Sequence, residues 1–112
     1  MKKVEAVIRE EKLDAVRSAL ENLSYFGMTI TSVAGRGKEG ALVLEWRVGE
    51  YQVQFQPKLK IEVVVLDEDV PEVLKMIVNN ARTGEMGDGK IFVFDVENVV
   101  RVRTGEQGDA AI

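Results

Sequence analysis

A glycine-rich stretch in the last third of the chain carries the residues best suited to bind an anion. Three glycines fall within six residues and a lysine follows directly: Gly84, Gly87, Gly89 and Lys90. Glycine permits positive φ, and successive backbone N–H groups beside a lysine suit a phosphate. The spacing approaches the P-loop pattern, but Ile91 replaces the hydroxyl that should hold Mg²⁺, and a strand pattern follows instead of a helix. We therefore predict a phosphate loop of another design over about residues 82–90, with a plain glycine turn as the alternative.

Two arginines near the C-terminus form a second candidate anion site. Arg101 and Arg103 alternate with valines over residues 99–103, which predicts an extended segment with both guanidiniums on one side, about 6.5–7 Å apart. Guanidiniums at that separation suit successive phosphates of a di- or triphosphate. The alternative is a solvated strand edge.

Residues 35–40 spell GxGxxG, but a dinucleotide site is rejected because residues 41–48 lack the helical period that must follow. The glycines instead begin an excursion over about residues 37–55. Its apolar residues, with Trp46, Arg47 and Tyr51, favour a partner-docking element, since long loops in compact domains are usually functional or disordered. A self-covering β-hairpin extension is the alternative.

The composition excludes several classes of function. The 112 residues contain neither cysteine nor histidine, which argues against thiolate chemistry, most metal centres and most hydrolases. A net charge of −4 disfavours binding to nucleic acid. No apolar run approaches the roughly 20 residues of a membrane span, and no signal-peptide pattern is present, so a cytoplasmic location is expected.

Periodicity indicates one α+β domain over residues 1–112. Alternating patterns predict strands over residues 3–9, 28–33, 58–65 and 91–96, and helical spacing predicts a helix over about 11–23 and another starting near Asp69. We expect Asp69 to cap the second helix, and Val78 to be buried with its apolar stripe. The order gives a ferredoxin-like βαββαβ fold, an antiparallel sheet with both helices on one face. The last strand is apolar on both faces, so it should be central or covered by a partner; the partly apolar open face, with Val7 and Val64, favours oligomerisation.

Several segments together carry a family resemblance over the whole chain: residues 27–29, 35–37, 50–51, 57–62, 81–84, 87–93 and 101–106. In this order and at these separations they resemble the PII nitrogen-regulatory proteins of the GlnB/GlnK type. The resemblance implies a homotrimeric, non-catalytic regulator of nitrogen metabolism, with ATP and ADP competing for sites between subunits. The excursion then corresponds to the family's T-loop, which contacts targets such as an ammonium transporter or glutamine synthetase, and any contact with a membrane is indirect, through the transporter.

The resemblance also assigns residues to the nucleotide. The adenosine pocket corresponds to Val7, Thr29, Glu62 and Val64. The phosphate loop corresponds to Gly87, Asp88, Gly89 and Lys90, with Arg101 and Arg103 reaching the phosphates across a subunit boundary. The base of the T-loop contributes Gly35, Arg36, Gly37 and Lys38.

Family members also bind 2-oxoglutarate through an ATP-bound Mg²⁺, at positions matching Glu39, Gln56 and Lys58. Glu39 stands where the family has glutamine; its carboxylate would hold Mg²⁺ but repel a dianion unless Lys58 compensates. Arg47 resembles the residue that enters a transporter pore, and Tyr51 the residue modified by nucleotidylation. The alternatives are a nucleotide-binding regulator without a 2-oxoglutarate response and a small, slow ATP-hydrolysing enzyme.

Overall fold

The computed structural model describes residues 1–36 and 55–112. In these ranges the strands are β1 (Lys2–Ile8), β2 (Thr29–Gly35), β3 (Gln56–Val65) and β4 (Lys90–Asp95), and the helices are α1 (Leu13–Asn22) and α2 (Val70–Ala81). Short 3₁₀ turns occupy Glu10–Lys12, Asp67–Asp69 and Gly108–Ala111. The predictions for the T-loop residues lie outside the described residues: Gly37, Lys38, Glu39, Trp46, Arg47 and Tyr51.

The four strands form one antiparallel sheet in the order β2-β3-β1-β4. In the centre, Val4 of β1 pairs with Val63 of β3 and with Val93 of β4. Side chains alternate along β1, with Val4, Ala6 and Ile8 buried, because successive residues of a strand face opposite sides. The predicted ferredoxin-like βαββαβ fold is confirmed.

The helices bury one stripe each against this sheet. Val73, Ile77 and Ala81 of α2 recur every four residues and are buried with Val16 and Leu20 of α1 in one core. The expectation that Val78 is buried is wrong: it is 45% exposed. One position after Ile77, it lies about 100° round the helix from the buried stripe.

The start of α2 differs from the predicted cap. Asp69 occupies the N-cap position without making a side-chain cap hydrogen bond. Its carboxylate instead accepts a hydrogen bond from the Tyr25 hydroxyl, whose oxygen accepts the N–H of Leu66 at 3.1 Å. Desolvation, followed by the bond to Asp69, raises the pKa of Tyr25. The carboxylate therefore joins the chain after α1 to the turn before α2.

Strand β4 is an edge of the sheet, so its prediction as a central strand is wrong. Phe92 and Phe94 pair with Glu5 and Lys3 on the open face, the face away from the helices, and are 46% and 44% exposed. The Lys3 ammonium lies 4.9 Å from the centre of the Phe94 ring. The other prediction for this strand, cover by a partner, remains open. No helix within the described ranges is long and apolar enough to cross a membrane.

Candidate functional site

The loop between α2 and β4 is organised around the carboxylate of Asp88. That carboxylate accepts hydrogen bonds from the backbone N–H groups of Thr83 and Gly84, at 2.9 and 2.8 Å, and from the Thr83 hydroxyl. The Thr83 hydroxyl, the backbone N–H groups and Arg9 hold the pKa of Asp88 far below its usual range. Two of the N–H groups predicted to face an external anion are thus used within the loop.

Arg9 fixes the same loop from the end of β1. Its Nε donates to Asp88 at 3.0 Å, and its Nη2 donates to the Met86 carbonyl at 2.7 Å. Arg9 was not among the residues predicted from the sequence. The pairing of Val7 with Lys90 could have indicated it, because continuing that antiparallel register places position 9 opposite position 88.

The predicted glycines have the geometry of a close approach. Gly87 and Gly89 have φ angles of 98° and 99°, and a Cβ at Gly89 would lie 1.7 Å from the Val7 carbonyl oxygen. Lys90 then begins β4 with an exposed side chain. Position 89 therefore requires glycine. The chain passes close to β1 at this point, and the next residue, Lys90, has an exposed ammonium group.

The loop retains donors for a ligand. Within the described ranges, the N–H groups of Met86 and Gly87 have no hydrogen-bond acceptor. Lys90 follows three residues after Gly87 and has an exposed side chain, so the loop combines N–H donors and an ammonium of the kind that binds phosphate oxygens.

A cleft of about 230 Å³ adjoins the loop, lined by Arg9, Glu10, Glu11, Gln56, Pro57, Lys58, Met86 and Gly87. Lys58 is 8% exposed, and its ammonium donates to the Gly87 carbonyl. The lining of this cleft therefore includes two cationic residues, Arg9 and Lys58, and two acidic residues, Glu10 and Glu11. Gln56 and Lys58, both expected at a 2-oxoglutarate site, lie together here.

The residues expected around adenosine share the open face of the sheet. Thr29 of β2 pairs with Glu62 of β3, while Val7 of β1 pairs with Lys60. Glu62 is engaged by Lys60 at 3.3 Å and by Lys3 at 3.8 Å. A second cleft, of about 600 Å³, reaches Val64 from the C-terminal residues and the chain after α1; it is lined by Leu23, Ser24, Tyr25, Phe26, Gly27, Val64, Leu66, Asp69, Asp109, Ala111 and Ile112. The four residues expected around adenosine therefore lie on one face of the sheet, and Val64 also lines this second cleft.

The C-terminal arginines do not lie on an extended segment, so that prediction is wrong. Val100 pairs with Gln107, and the Arg101 N–H donates to the Glu106 carbonyl at 2.9 Å, closing a hairpin whose tip carries Arg103. Gly105, at φ 73°, provides the reversal. No hydrogen bond or ion pair joins either arginine to residues 82–90 among the described contacts.

Arg101 is held inside its own hairpin. Its guanidinium lies 3.3 Å from the Glu106 carboxylate and 3.5 Å from the Ile112 main-chain oxygen. Arg103 is exposed at the tip. Gly35 pairs with Gln56. Arg36, the last residue of the first described range, is exposed.

No group of three or more acidic or other ligating side chains in residues 1–36 and 55–112 is arranged to hold a metal ion. Glu39, the one predicted ligand for nucleotide-bound Mg²⁺, lies outside those ranges.

Comparison with known proteins identifies the family. The profile of the nitrogen regulatory protein P-II family matches residues 1–106. The chain is 51% identical to nitrogen regulatory protein P-II 1 of Escherichia coli K12 and 49% identical to nitrogen regulatory protein P-II of Pasteurella multocida, over the full length of all three chains. It also resembles a solved Arabidopsis thaliana PII bound to citrate, with a TM-score of 0.82 and 40% identity over 99% of this chain and 91% of that one. These relatives are named as regulators and not as enzymes, and the chain belongs to the nitrogen regulatory protein P-II family.

Proposed function

We propose that this regulator reads ATP against ADP at the loop between α2 and β4, and reports the difference through its T-loop. The observation that carries the proposal is the close approach of Gly89 to the Val7 carbonyl. It lies between an exposed lysine at position 90 and two N–H groups, of Met86 and Gly87, that have no acceptor among the described residues. A nucleotide shifts such a regulator only through contacts that differ between its states. Lys38 and Glu39, near the expected γ-phosphate, are the residues proposed to make those contacts.

The site is proposed to lie between the subunits of a homotrimer. In support, Arg103 stands exposed at the tip of its hairpin, with no described bond to the phosphate loop of its own chain. The open face of the sheet also carries half-exposed Phe92 and Phe94, which association would cover. Arg101 and Arg103 of one subunit then complete the loop of the next.

A small polycarboxylate is the proposed second ligand, with 2-oxoglutarate as the expected member of that class. The cleft beside Lys58 and Arg9 supplies two cations, and the Arabidopsis thaliana relative was solved with citrate. Glu10 and Glu11 line the same cleft, and Glu39, expected at the same ligand, would add a third carboxylate, so the affinity should be modest. Mg²⁺ would be held by the nucleotide phosphates together with Glu39.

The T-loop is the proposed docking element. Trp46 and Arg47 would contact an ammonium transporter, glutamine synthetase or another target in nitrogen metabolism, and Tyr51 is the candidate for modification. The proposed location is the cytoplasm, with a membrane reached only through a transporter.

Calorimetry with ATP and ADP tests the proposal. Lys90→Met should weaken both by roughly tenfold or more, the scale of a lost charge-assisted hydrogen bond. Lys75→Met, which removes the same charge from an exposed position of α2, should leave both affinities unchanged. The proposal fails if the wild-type chain gives no heat with either nucleotide. In a second titration, 2-oxoglutarate added to the protein with Mg²⁺-ATP should bind, and Lys58→Met should abolish that heat.

A further inference from the structure

Arg9 has no place in the nucleotide site proposed above, although it makes long-range contacts with the phosphate loop. It follows β1 directly and bonds to residues 77 and 79 positions further along the chain. Its side chain is 24% exposed and that of Asp88 is 23% exposed, so the pair is partly shielded from water and should be somewhat stronger than a fully exposed ion pair.

The bonds to Arg9 act on both sides of Gly87. Nη2 holds the carbonyl of the preceding residue, Met86, while Nε holds the carboxylate of the following residue, Asp88. Lys58 takes the Gly87 carbonyl itself. A trans peptide places the N–H of the next residue opposite its carbonyl, so holding the Met86 and Gly87 carbonyls directs the N–H groups of Gly87 and Asp88 away from Arg9 and Lys58.

Asp88 extends this constraint to the end of α2. Its carboxylate accepts hydrogen bonds from the N–H groups of Thr83 and Gly84 and also from the Nε of Arg9. Because the carboxylate is saturated by donors of its own chain, it is not turned toward a ligand, and its negative charge is neutralised before a phosphate arrives. An unneutralised carboxylate in this loop would instead repel that phosphate.

We propose that Arg9 is a positioning residue for phosphate binding, which acts through Asp88 and the Met86 carbonyl and does not contact the nucleotide. The inference rests on the proposed nucleotide function of the same loop. It separates two roles in the glycine-rich segment. Lys90 and the free N–H groups bind phosphate, whereas Asp88, expected from the family resemblance to be a binding residue, keeps the segment in shape through its side chain.

The test compares Arg9→Met, Asp88→Asn and the double variant in calorimetric titrations with ATP and with adenosine. Each single variant should weaken ATP binding by about tenfold, and the double variant by little more than either, because both changes break the same contact. The affinity for adenosine, which has no phosphate, should stay unchanged in all three, and this also shows that the variants are folded. Arg17→Met is the matched control: Arg17 pairs with two carboxylates of its own helix, α1, with no described bond to the loop, and its loss should leave both affinities unchanged.

Each other result overturns a stated part of this account. If the wild-type chain and Arg17→Met bind ATP and the Arg9 and Asp88 variants bind it equally well, the positioning role is wrong while the nucleotide function stands. If Arg9→Met weakens ATP binding and Asp88→Asn does not, Arg9 does not act through Asp88, and the role proposed for that carboxylate is wrong. If the losses in the double variant simply add, the two residues act separately. Absence of ATP binding by the wild-type chain would overturn the proposed function, and this inference with it.

Amide hydrogen exchange gives a readout that needs no ligand. In Arg9→Met the Thr83 and Gly84 amides, which donate to Asp88, should exchange faster than in the wild-type chain. The amides of the α2 core around Ile77 should keep their protection. Unchanged exchange at residues 83 and 84 would contradict the role of Arg9 in shaping the loop.

Discussion

At the scale of single residues, the loop depends on one position where no side chain fits. Gly89 has a φ of 99°, and a Cβ there would meet the Val7 carbonyl oxygen at 1.7 Å. Gly89→Ala should lower the free energy of unfolding by about 2–4 kcal/mol, because strain and a backbone clash combine. Denaturant titration measures this. Gly105→Ala, at φ 73° with nothing within 4 Å, is the control and should cost only about 1 kcal/mol. Equal losses would contradict the required close approach.

The Asp88 carboxylate gives a second prediction, on pH. Its pKa is lowered in the folded state by the Thr83 hydroxyl, the N–H groups of Thr83 and Gly84, and Arg9. A depressed folded pKa adds stability above the unfolded value of about 3.9, and that stability is lost as the pH falls through the folded pKa. The wild-type free energy of unfolding should therefore exceed that of Asp88→Asn most at neutral pH. The gap should narrow below about pH 4. A gap that is constant with pH would refute the charged hydrogen-bond network.

At the scale of elements, the connection from α1 to β2 depends on one hydroxyl. Tyr25→Phe leaves the Leu66 N–H and the Asp69 carboxylate without their shared partner. The expected loss is about 1–3 kcal/mol in the free energy of unfolding, the cost of unsatisfied polar groups. Thermal or denaturant unfolding measures it, with Ser18→Ala, at an exposed position of α1, as a near-neutral control. No difference between the two variants would show that the hydroxyl contributes nothing.

Elements were predictable where hydrophobic periodicity alone determines them. The alternation in β1 and β3 and the stripe of α2 follow from burying one face, so the fold could be read from sequence. The hairpin that contains Arg101 could not be predicted in this way, because its alternating valines also fit a strand. The chain reverses there because of Gly105, at positive φ, and the ion pair between Arg101 and Glu106. Such a pair can be recognised only from the three-dimensional structure. Within the candidate site, the glycines and Lys90 were predictable from type and spacing, whereas Arg9 required the strand register.

At the scale of the whole molecule, two parts of the proposed site are separate in a single chain. The phosphate loop lies between α2 and β4, and Arg103 stands exposed at a hairpin tip with no described bond to that loop. A helix-covered sheet with an open face carrying Phe92 and Phe94 supplies a surface for association. In the proposed trimer, the loop of one subunit and the arginine of another must therefore act together.

Subunit complementation tests this requirement most directly. Lys90→Met chains lack the lysine of the loop, and Arg103→Met chains lack the arginine of the hairpin, so each pure variant should bind ATP at least about tenfold more weakly than the wild type. The two variants are then unfolded together and refolded as an equal mixture. In the random trimers, about a quarter of the sites should combine an intact Lys90 from one subunit with an intact Arg103 from the next, and these sites should regain wild-type affinity. Calorimetry on the mixture, with separately refolded variants as the control, measures that fraction. Recovery of about a quarter of the sites is the predicted result; a mixture that binds no better than its separate components would contradict a nucleotide site built between subunits.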